Sequence, residues 1–329
     1  MRAWRVERAG DPRDALVLGE TECPAPGPGR LRTRVRAAGV GLPDVLLCRG
    51  SYPLTPSLPF TPGQELVGEV IARGEGAVTP VGSRVMAISG FTAGRGSFAE
   101  ECLALDDFAL PVPDEMSDAE AAGFAIPFHT AWVGLVRRGG LRAGESLLVL
   151  GAAGSSGSAA VQLGKALGAR VIATARGAEK VAFCRSLGAD HVVDRAKDDL
   201  VAVAHEVTGG RGVDVVYDPV GGEAFQAATR AVAHEGRILA VGFASGSWGK
   251  VSTPHLVARS YSVVGVIPSG YDRAFRESAH AALLDQWRAG RLRVPIHRRF
   301  GFDEVPAAVA EVAAGEVLGK VIVDVVGAD

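Results

Sequence analysis

Three regularly spaced glycines are the first residues in this sequence whose type and spacing suggest chemistry. Gly151, Gly154 and Gly157 follow the apolar run SLLVLG and open the helical pattern SSGSAAVQLGKAL. Glycine permits a sharp turn and a close backbone approach to a pyrophosphate, which the N–H groups at the start of a helix then bind. The spacing indicates a dinucleotide-binding turn, or alternatively a tight strand-to-helix turn without a ligand. The candidate phosphate contacts are Gly151, Ala153, Gly154, Ser155, Ser156 and Gly157, with helix capping as the alternative for the serines.

The residue that ends the next strand narrows the choice of dinucleotide. The strand RVIATA is followed by Arg176, and Lys180 lies about one helical turn further on. A unit that binds NAD has an acid here that accepts hydrogen bonds from the ribose 2′-hydroxyl, whereas a 2′-phosphate requires cations. Arg176 and Lys180 therefore favour NADP(H), with a solvated surface pair as the alternative.

The pattern of elements around these residues predicts an α/β fold with two domains. From residue 121 to about 289, short apolar strands alternate with helices, which indicates a doubly wound parallel sheet. The predicted strands include RVIATA, HVVD, VDVVYD and RILAVG. Residues 1–120 carry Pro and Gly between short β-branched runs, which indicates an irregular β-rich domain that about 290–329 completes. Ser117 and Glu120 have the spacing of a helix-capping box. The run SYSVVGVI at 260–267 predicts a strand at the sheet edge.

The overall composition is that of a globular protein without an extreme charge. The chain has 329 residues, 47% of them hydrophobic, and its 35 Lys plus Arg against 37 Asp plus Glu leave a net charge of −2. This balance favours neither nucleic acid nor a membrane surface as a partner. The N-terminal MRAWRVERAG is too charged for a signal peptide and no apolar run has bilayer-spanning length, so we expect a cytoplasmic protein. The four cysteines are scattered along the chain, at Cys23, Cys48, Cys102 and Cys184. This spacing predicts buried thiols and indicates neither a disulfide framework nor a zinc site.

Several segments spread over nearly the whole chain are specific in combination. They are PGQELVGEVIARGEGAVTPVGSRVMA (62–87), GSFAEECLAL (96–105), PFHTAW (127–132), AAGSSGSAAVQLGKALGARVIATA (152–175), LGADHVVD (187–194), VDVVYDPVGG (213–222) and GKVIVDV (319–325). Together they resemble the zinc-independent medium-chain dehydrogenase/reductases, in the branch of quinone oxidoreductases and enoyl reductases. The resemblance implies a GroES-like catalytic domain at 1–120, completed by about 290–329, and a Rossmann NADP-binding domain at 121–289.

The same resemblance implies that no metal binds. Zinc-dependent members of the family have a cysteine after "GVC", a His-Glu pair after "PG" and a lobe of four closely spaced cysteines. This sequence has GVGLPD (39–44), PGQEL (62–66) and no such lobe. Without a metal to polarise a carbonyl, hydride delivery to an electron-poor acceptor becomes the expected reaction.

Cofactor contacts are implied residue by residue. Thr130 matches a residue that hydrogen-bonds the nicotinamide carboxamide, and Lys180 matches a lysine that holds the 2′-phosphate. Arg195 takes the place of a tyrosine that often assists there and keeps a cationic side chain. The remaining implied contacts are Gly242, Phe243 and Ser245, in a loop that touches the nicotinamide half, and Lys320 near the end of the family pattern.

The catalytic candidates include a departure from the family. In the motif G-x-N-x-x-D, Gly41 replaces the asparagine that lies close to the nicotinamide, so a donor near the substrate oxygen is missing and only Asp44 remains. Tyr52 matches a tyrosine in the active-site cleft of quinone reductases, with packing as the alternative. His129 is either a donor in the cleft or a packed side chain.

These residues predict an NADPH-dependent reductase that passes hydride to a quinone or an α,β-unsaturated carbonyl compound without metal. Solvent or Tyr52 would neutralise the charge that develops on the acceptor oxygen. One alternative is an enoyl-thioester reductase of a polyketide or fatty-acid type pathway. Another is a non-catalytic NADPH-binding protein, which the loss of the asparagine at Gly41 favours. The resemblance also implies a homodimer that joins sheet edges through residues 260–267.

Overall fold

The computed structural model describes residues 1–325, and the chain forms two compact units. Among the described residues, the first unit contains Met1–Ile126, Asp272–Glu277 and 294–325, and the second contains Pro127–Tyr271 and Ser278–Arg293. The divide near residue 126 falls inside a helix. The capping box at Ser117 starts that helix, and the first turns of the helix belong to the first unit.

The first unit consists mainly of strands with short helices between them. Its elements are β1 (Arg2–Val6), α1 (Pro12–Ala15), β2 (Leu16–Glu20), β3 (Arg30–Val40), α2 (Leu42–Cys48), β4 (Glu65–Arg73), β5 (Arg84–Ile88), β6 (Glu101–Leu105), β7 (Leu110–Pro111) and the start of α3 (Asp118–Trp132). The second unit begins within α3. The proline at 127 stands inside this helix, and a π-helical segment, Val133–Arg138, follows it.

The second unit alternates strands and helices throughout. Its elements are β8 (Ser146–Val149), α4 (Ser155–Ala166), β9 (Arg170–Ala175), α5 (Ala178–Ser186), β10 (His191–Asp194), α6 (Leu200–Val207), β11 (Val213–Asp218), α7 (Gly222–Ala231), β12 (Val232–Ala240), α8 (Thr253–Arg259), β13 (Ser262–Gly265) and most of α9 (Arg273–Arg288). The chain then returns to the first unit with β14 (Ile296–Gly301), α10 (Val305–Ala314) and β15 (Lys320–Asp324).

The larger sheet of the first unit is centred on β3. Its strand order is β14-β15-β3-β4-β5-β7, and β6 also pairs with β3. All pairings are antiparallel except that of β14 with β15. Residues alternate between buried and exposed along the middle of β3, whereas its last four residues, 37–40, are all buried. This buried strand end leads directly into Gly41 and α2.

The sheet of the second unit has the order β10-β9-β8-β11-β12-β13, and all of its pairings are parallel. The chain first builds outward from β8 to β10 and then returns to build β11, β12 and β13 on the other side. This strand order, with a helix between successive parallel strands, is that of the doubly wound Rossmann arrangement. The α/β fold predicted from the sequence is confirmed.

Three strands of the second unit lie where the sequence predicts them. The predicted strands RVIATA, HVVD and VDVVYD are β9, β10 and β11 residue for residue.

Other local predictions can be compared with the structure in the same way. Ser117 Oγ and Glu120 form the expected capping box, with a 2.9 Å hydrogen bond between their side chains. The four cysteines are free and buried. β13 is the edge strand within 260–267, and the pairing of two copies through it stays a prediction.

Candidate functional site

The glycine turn between β8 and α4 is shaped by two glycines that no other residue type would replace easily. Gly151 has a φ of +59°, in the left-handed region that favours glycine. A Cβ on Gly157 would clash with the carbonyl oxygen of Gly151, so α4 begins directly against the turn. Gly154, the N-cap, has an ordinary φ of −77°. The first N–H groups of α4 lack partners within the helix, and such a turn is suited to a phosphate.

The other predicted residues of this turn are tied to neighbouring strands. The N–H of Gly151 donates to Thr174 Oγ1 on β9 at 3.1 Å. The hydroxyl of Ser156 shares a 2.8 Å hydrogen bond with the hydroxyl of Tyr217 on β11, whose pKa is raised by burial. Ser155 is the first residue of α4 and Ala153 is buried beside it. The turn is thus held in place by β9 and β11.

Two predicted cations, Arg176 and Arg195, follow the carboxyl ends of two neighbouring strands, and a third, Lys180, lies on the helix that follows the first strand. Ala175 of β9 pairs with Asp194 of β10, so Arg176 and Arg195 are the residues that directly follow a paired position. The N–H of Arg195 donates to the carbonyl of Ala175 at 2.8 Å. Both arginines are exposed, and Lys180 lies half-buried in the first turn of α5. The sheet register therefore brings together residues that are far apart in the sequence.

An acid also lies at this edge, and the sequence analysis missed it as a site residue. Asp194 Oδ1 accepts hydrogen bonds from the N–H groups of Gly177 (3.0 Å) and Ala196 (3.1 Å). These two bonds, with a smaller effect from Arg176, hold the pKa of the Asp194 carboxyl below its usual range. The carboxylate therefore organises the loops that carry both arginines.

A second buried acid organises the loops after β11 and β12. Asp218 Oδ1 accepts hydrogen bonds from the N–H groups of Val220 and Gly221, each at 2.8 Å, and burial raises the pKa of its carboxyl. Its carbonyl accepts the N–H of Gly242 at 3.2 Å. The N–H of Ser245 donates to the carbonyl of Val220 at 2.9 Å. The predicted cofactor loop is thereby fastened to the neighbouring loop.

The ring of Phe243 in this loop packs against Trp248, with 4.5 Å between ring centroids. Trp248 is 54% exposed, which is unusual for so large an apolar side chain. The loop thus exposes Trp248, which packs on the half-buried ring of Phe243.

The predicted residues on α3 are buried. His129 Nε2 lies 3.2 Å from Nδ1 of His280 on α9, and the two rings are stacked. Thr130, the next residue, is 9% exposed. The His129 ring is hydrogen-bonded to another buried ring, as the packing alternative describes, and its catalytic role stays a prediction.

Tyr52 lies in the first unit and contacts its core. The side chain is half-buried, and its ring centroid lies 6.3 Å from that of Phe91. Its backbone carbonyl accepts the hydroxyl of Thr55 at 2.7 Å. The contacts fit the packing alternative, and a catalytic role for the hydroxyl stays a prediction.

Asp44 is the most deeply buried of the catalytic candidates. It is 1% exposed on α2, where Oδ2 accepts the N–H of Gly41 at 2.8 Å and Oδ1 accepts the N–H of Gly63 at 3.1 Å. Burial raises the pKa of this carboxyl to about 7, although these bonds and the charge of Lys320 act against the shift. Asp44 therefore titrates near neutral pH.

Lys320 forms a buried ion pair that the sequence analysis did not foresee. Its ammonium contacts Glu65 Oε1, and the exposed fractions of the two side chains are 5% and 2%. Glu65 Oε2 accepts the N–H of Ile126 at 3.0 Å. Glu65 stands in the motif PGQEL, but only its pairing across the sheet reveals the partner. Lys320 was predicted as a cofactor contact, and this role stays a prediction. In the structure, the Lys320 ammonium is paired with the Glu65 carboxylate.

Neither a metal site nor a membrane helix is found in the described part of the chain. Within residues 1–325, no group of three or more His, Cys, Asp or Glu side chains is arranged to hold a metal ion. Over the same residues, every helix is too short or too polar to cross a membrane.

Comparison with known proteins assigns both parts of the chain. Residues 27–114 match the family model of the alcohol dehydrogenase GroES-like domain, and residues 157–284 match that of zinc-binding dehydrogenase. Quinone oxidoreductase-like protein 2 of Bos taurus is 34% identical over 290 residues, covering 86% of this chain and 82% of that protein. A mycobacterial protein solved in complex with NADPH is 30% identical, with a TM-score of 0.90 over 99% of this chain and 100% of that chain.

A further relative comes from a much longer protein. A phenolphthiocerol/phthiocerol polyketide synthase of Mycobacterium tuberculosis is 32% identical over 300 residues, which cover 88% of this chain and 13% of that protein. Together, the fold and these similarities define an oxidoreductase built from a GroES-like domain and a Rossmann domain. The chain belongs to the quinone oxidoreductase branch of the medium-chain dehydrogenase/reductases.

Proposed function

We propose that this oxidoreductase binds NADPH and reduces a quinone or an α,β-unsaturated carbonyl compound. The observation that carries the proposal is the strand pairing that sets Arg176 beside Arg195, next to the glycine turn. Guanidinium groups form charge-assisted hydrogen bonds to a phosphate, whereas a ribose 2′-hydroxyl calls for an acid. The mycobacterial relative in complex with NADPH supports the same choice of cofactor.

Each part of this site fits one part of the dinucleotide. The turn at Gly151 and the start of α4 would hold the pyrophosphate, since a backbone without side chains permits a close approach. Arg176, Arg195 and Lys180 would hold the 2′-phosphate. We assign Thr130 and the loop Gly242–Ser245 to the nicotinamide half. When bound, NADPH supplies the hydride.

The cofactor assignment is tested by titrating the protein with NADPH and with NADH, following nucleotide fluorescence. We expect Arg176→Ala/Arg195→Ala to weaken NADPH binding about 100-fold, because two charge-assisted contacts are lost. NADH binding should stay nearly unchanged. Arg185→Ala is the matched control, because it removes an exposed arginine from α5 away from the strand ends. Equal affinity of the wild-type protein for both nucleotides would refute the phosphate site.

The acceptor is tested by following NADPH oxidation with three compounds. These are a simple quinone, a short enone and a crotonyl thioester. Faster turnover of the quinone or the enone supports the proposal. The similarity to a polyketide synthase favours a second candidate, an enoyl-thioester reductase, and a clear preference for the thioester would support that instead. Tight NADPH binding without oxidation by any acceptor would indicate a non-catalytic NADPH-binding protein.

A further inference from the structure

A cavity of the first unit is lined by cations and hydroxyl groups. Its volume is about 440 Å³, which is in the range of small-molecule sites. None of the described residues that line it is acidic. Its polar lining residues are Arg5, Thr21, Ser57, Thr61, Thr92 and Arg95, which all belong to Met1–Ile126. The cavity therefore combines positive charge with hydrogen-bond donors inside a single unit.

Backbone hydrogen bonds hold the segments that form this cavity. The N–H of Val6 on β1 donates to the carbonyl of Phe60 at 2.8 Å. The N–H of Thr61 donates to the carbonyl of Gly94 at 3.1 Å. The backbone thus fixes how the segments that carry both arginines lie relative to each other, as expected for a preformed site.

Glycines on both sides of Arg95 let its backbone approach the neighbouring segment closely. Gly94 has a φ of +73°, in the left-handed region that favours glycine. A Cβ on Gly94 would lie 3.0 Å from Phe60 Cβ, and one on Gly96 would clash with the carbonyl oxygen of Pro62. Larger residues at these positions would push the two segments apart, so the glycines keep Arg95 at the cavity.

Several polar groups of the cavity are available to a ligand. Thr61 is 7% exposed, yet its hydroxyl has no hydrogen-bond partner within residues 1–325. Arg95 is exposed and forms no ion pair within the same residues. Arg5 Nε lies 3.4 Å from Glu7 Oε1, which is longer than a charge-assisted hydrogen bond. A buried hydroxyl usually has a partner, so Thr61 indicates a group bound in the cavity.

The number of donors distinguishes between the anions that two arginines could bind. A guanidinium presents five N–H donors and each hydroxyl adds one, which is more than the two oxygens of a carboxylate can accept. A phosphate monoester has three acceptor oxygens and a charge of about −1.5 to −2 at pH 7, which matches two cations. The cavity also leaves room for an organic part, which Pro56 and Pro59 can contact.

We propose that this cavity binds a phosphate monoester of a small organic molecule. Arg5 and Arg95 hold the phosphate, and the hydroxyl of Thr61 donates a hydrogen bond to one of its oxygens. The site goes beyond the proposed reductase function and does not depend on it. All the residues that line it belong to the first unit, whereas the glycine turn belongs to the second.

Calorimetric titration of the full chain with three phosphate monoesters tests this site. The probes are glycerol 3-phosphate, glucose 6-phosphate and phenyl phosphate, and we expect at least one of them to bind at millimolar concentration. Arg95→Ala should weaken its binding at least about tenfold, because a charge-assisted contact is lost. Thr61→Val keeps the shape of the side chain but removes the hydroxyl, and should weaken binding about fivefold. Arg8→Ala, which removes an exposed arginine outside the cavity, is the matched control.

The source of any phosphate binding is identified by the variants. Binding that falls in Arg95→Ala and Thr61→Val, but not in Arg8→Ala or Arg176→Ala/Arg195→Ala, supports the cavity site. Binding that falls only in Arg176→Ala/Arg195→Ala belongs to the second unit and overturns it. The absence of binding by all three esters also overturns it, whatever the NADPH titration gives.

Two further probes test the class of ligand. Inorganic phosphate lacks the organic part, and glycerate replaces the phosphate of glycerol 3-phosphate with a carboxylate. We expect both to bind more weakly than the best ester. Equal binding of inorganic phosphate would overturn the assignment of an ester, and equal binding of glycerate would overturn the assignment of a phosphate.

Discussion

The proposed nucleotide edge of the second unit, at Arg176 and Arg195 beside the glycine turn, carries exposed charges, whereas the charge cluster of the first unit, at Asp44, Glu65 and Lys320, is buried. At the nucleotide edge, Arg176 and Arg195 are exposed and follow strands whose order the chain itself sets. In the cluster, Glu65 and Lys320 are buried and lie 255 residues apart in the sequence. Exposed charges are hydrated with or without a partner, whereas buried charges depend on each other. The first site is expected to tolerate substitution and the second is not.

The largest effect should follow from breaking the buried pair alone. Lys320→Met leaves the Glu65 carboxylate buried without its counter-charge, and we expect it to lower the free energy of unfolding by about 3–5 kcal/mol. Urea unfolding of the variant measures this. Glu65→Gln/Lys320→Met should recover much of the loss, because no unpaired charge remains. If Lys320→Met alone were as stable as the wild-type protein, the two buried charges would not depend on each other for stability.

At the nucleotide edge, the backbone of the glycine turn should be the sensitive part. Gly157→Ala places a methyl group against the carbonyl oxygen of Gly151, and we expect a loss of about 2 kcal/mol in the free energy of unfolding. Gly154→Ala is the matched control, since the nearest atom to its new Cβ would be 3.6 Å away. Thermal unfolding of both proteins should separate them, and equal stabilities would refute the close approach of α4.

Stability should depend on pH in opposite directions in the two regions. The pKa of Asp44 is raised to about 7, so the folded protein holds this proton more tightly than the unfolded chain. Its stabilising contribution is complete below the unfolded pKa of about 3.9 and is lost as the pH rises through about 7. Relative to Asp44→Asn, the wild-type protein should lose about 2 kcal/mol in urea unfolding between about pH 5 and about pH 8.

Asp194 gives the contrasting control. Its folded pKa is lowered by backbone hydrogen bonds, so its contribution is present above the unfolded pKa and is lost as the pH falls through the folded one. The difference between wild-type and Asp194→Asn should therefore shrink only under acid conditions. The same pH profile for both aspartates would contradict the assignment of Asp44 as the buried, proton-binding group.

The smallest effect on folding should come from the exposed arginines. Arg176→Ala/Arg195→Ala is expected to change the free energy of unfolding by less than about 0.5 kcal/mol, because neither side chain is buried. Urea unfolding without nucleotide measures it. A large loss would show that these arginines serve the fold, and would weaken the argument that they are placed for a phosphate.

Sequence reasoning succeeded where the signal is local and failed where one element runs into the next. β9, β10 and β11 were predicted residue for residue, because each is a short apolar run bounded by turn residues. β12 begins at Val232, whereas the predicted strand RILAVG starts later, at residue 237. The strand follows α7 without an intervening turn, so no Gly, Pro or other turn residue marks where the strand begins. The helices α8 and α9 were not predicted.

For the candidate site, the local residues could also be predicted and their partners could not. The glycine turn and Arg176 were identified from spacing alone. Lys320 was identified only as a position at which the family pattern implies a cofactor contact, and its pairing with Glu65 was not foreseen. His129 was noted beside Thr130, but its partner His280 lies on a helix that the sequence analysis did not predict.

By itself, the sequence determined the alternation of strands and helices, the glycine turn and the cation after β9, since each depends on neighbours within about ten residues. The tertiary structure alone decided which charges are buried together. Antiparallel pairing sets β15 beside β3, opposing Val321 to Val40, and so brings Lys320 to Gly41 and Glu65. The protonation state of the buried Asp44 carboxyl then depends on that strand pairing, because the nearest charges, Lys320 and Glu65, shift the pKa of a group that is removed from water.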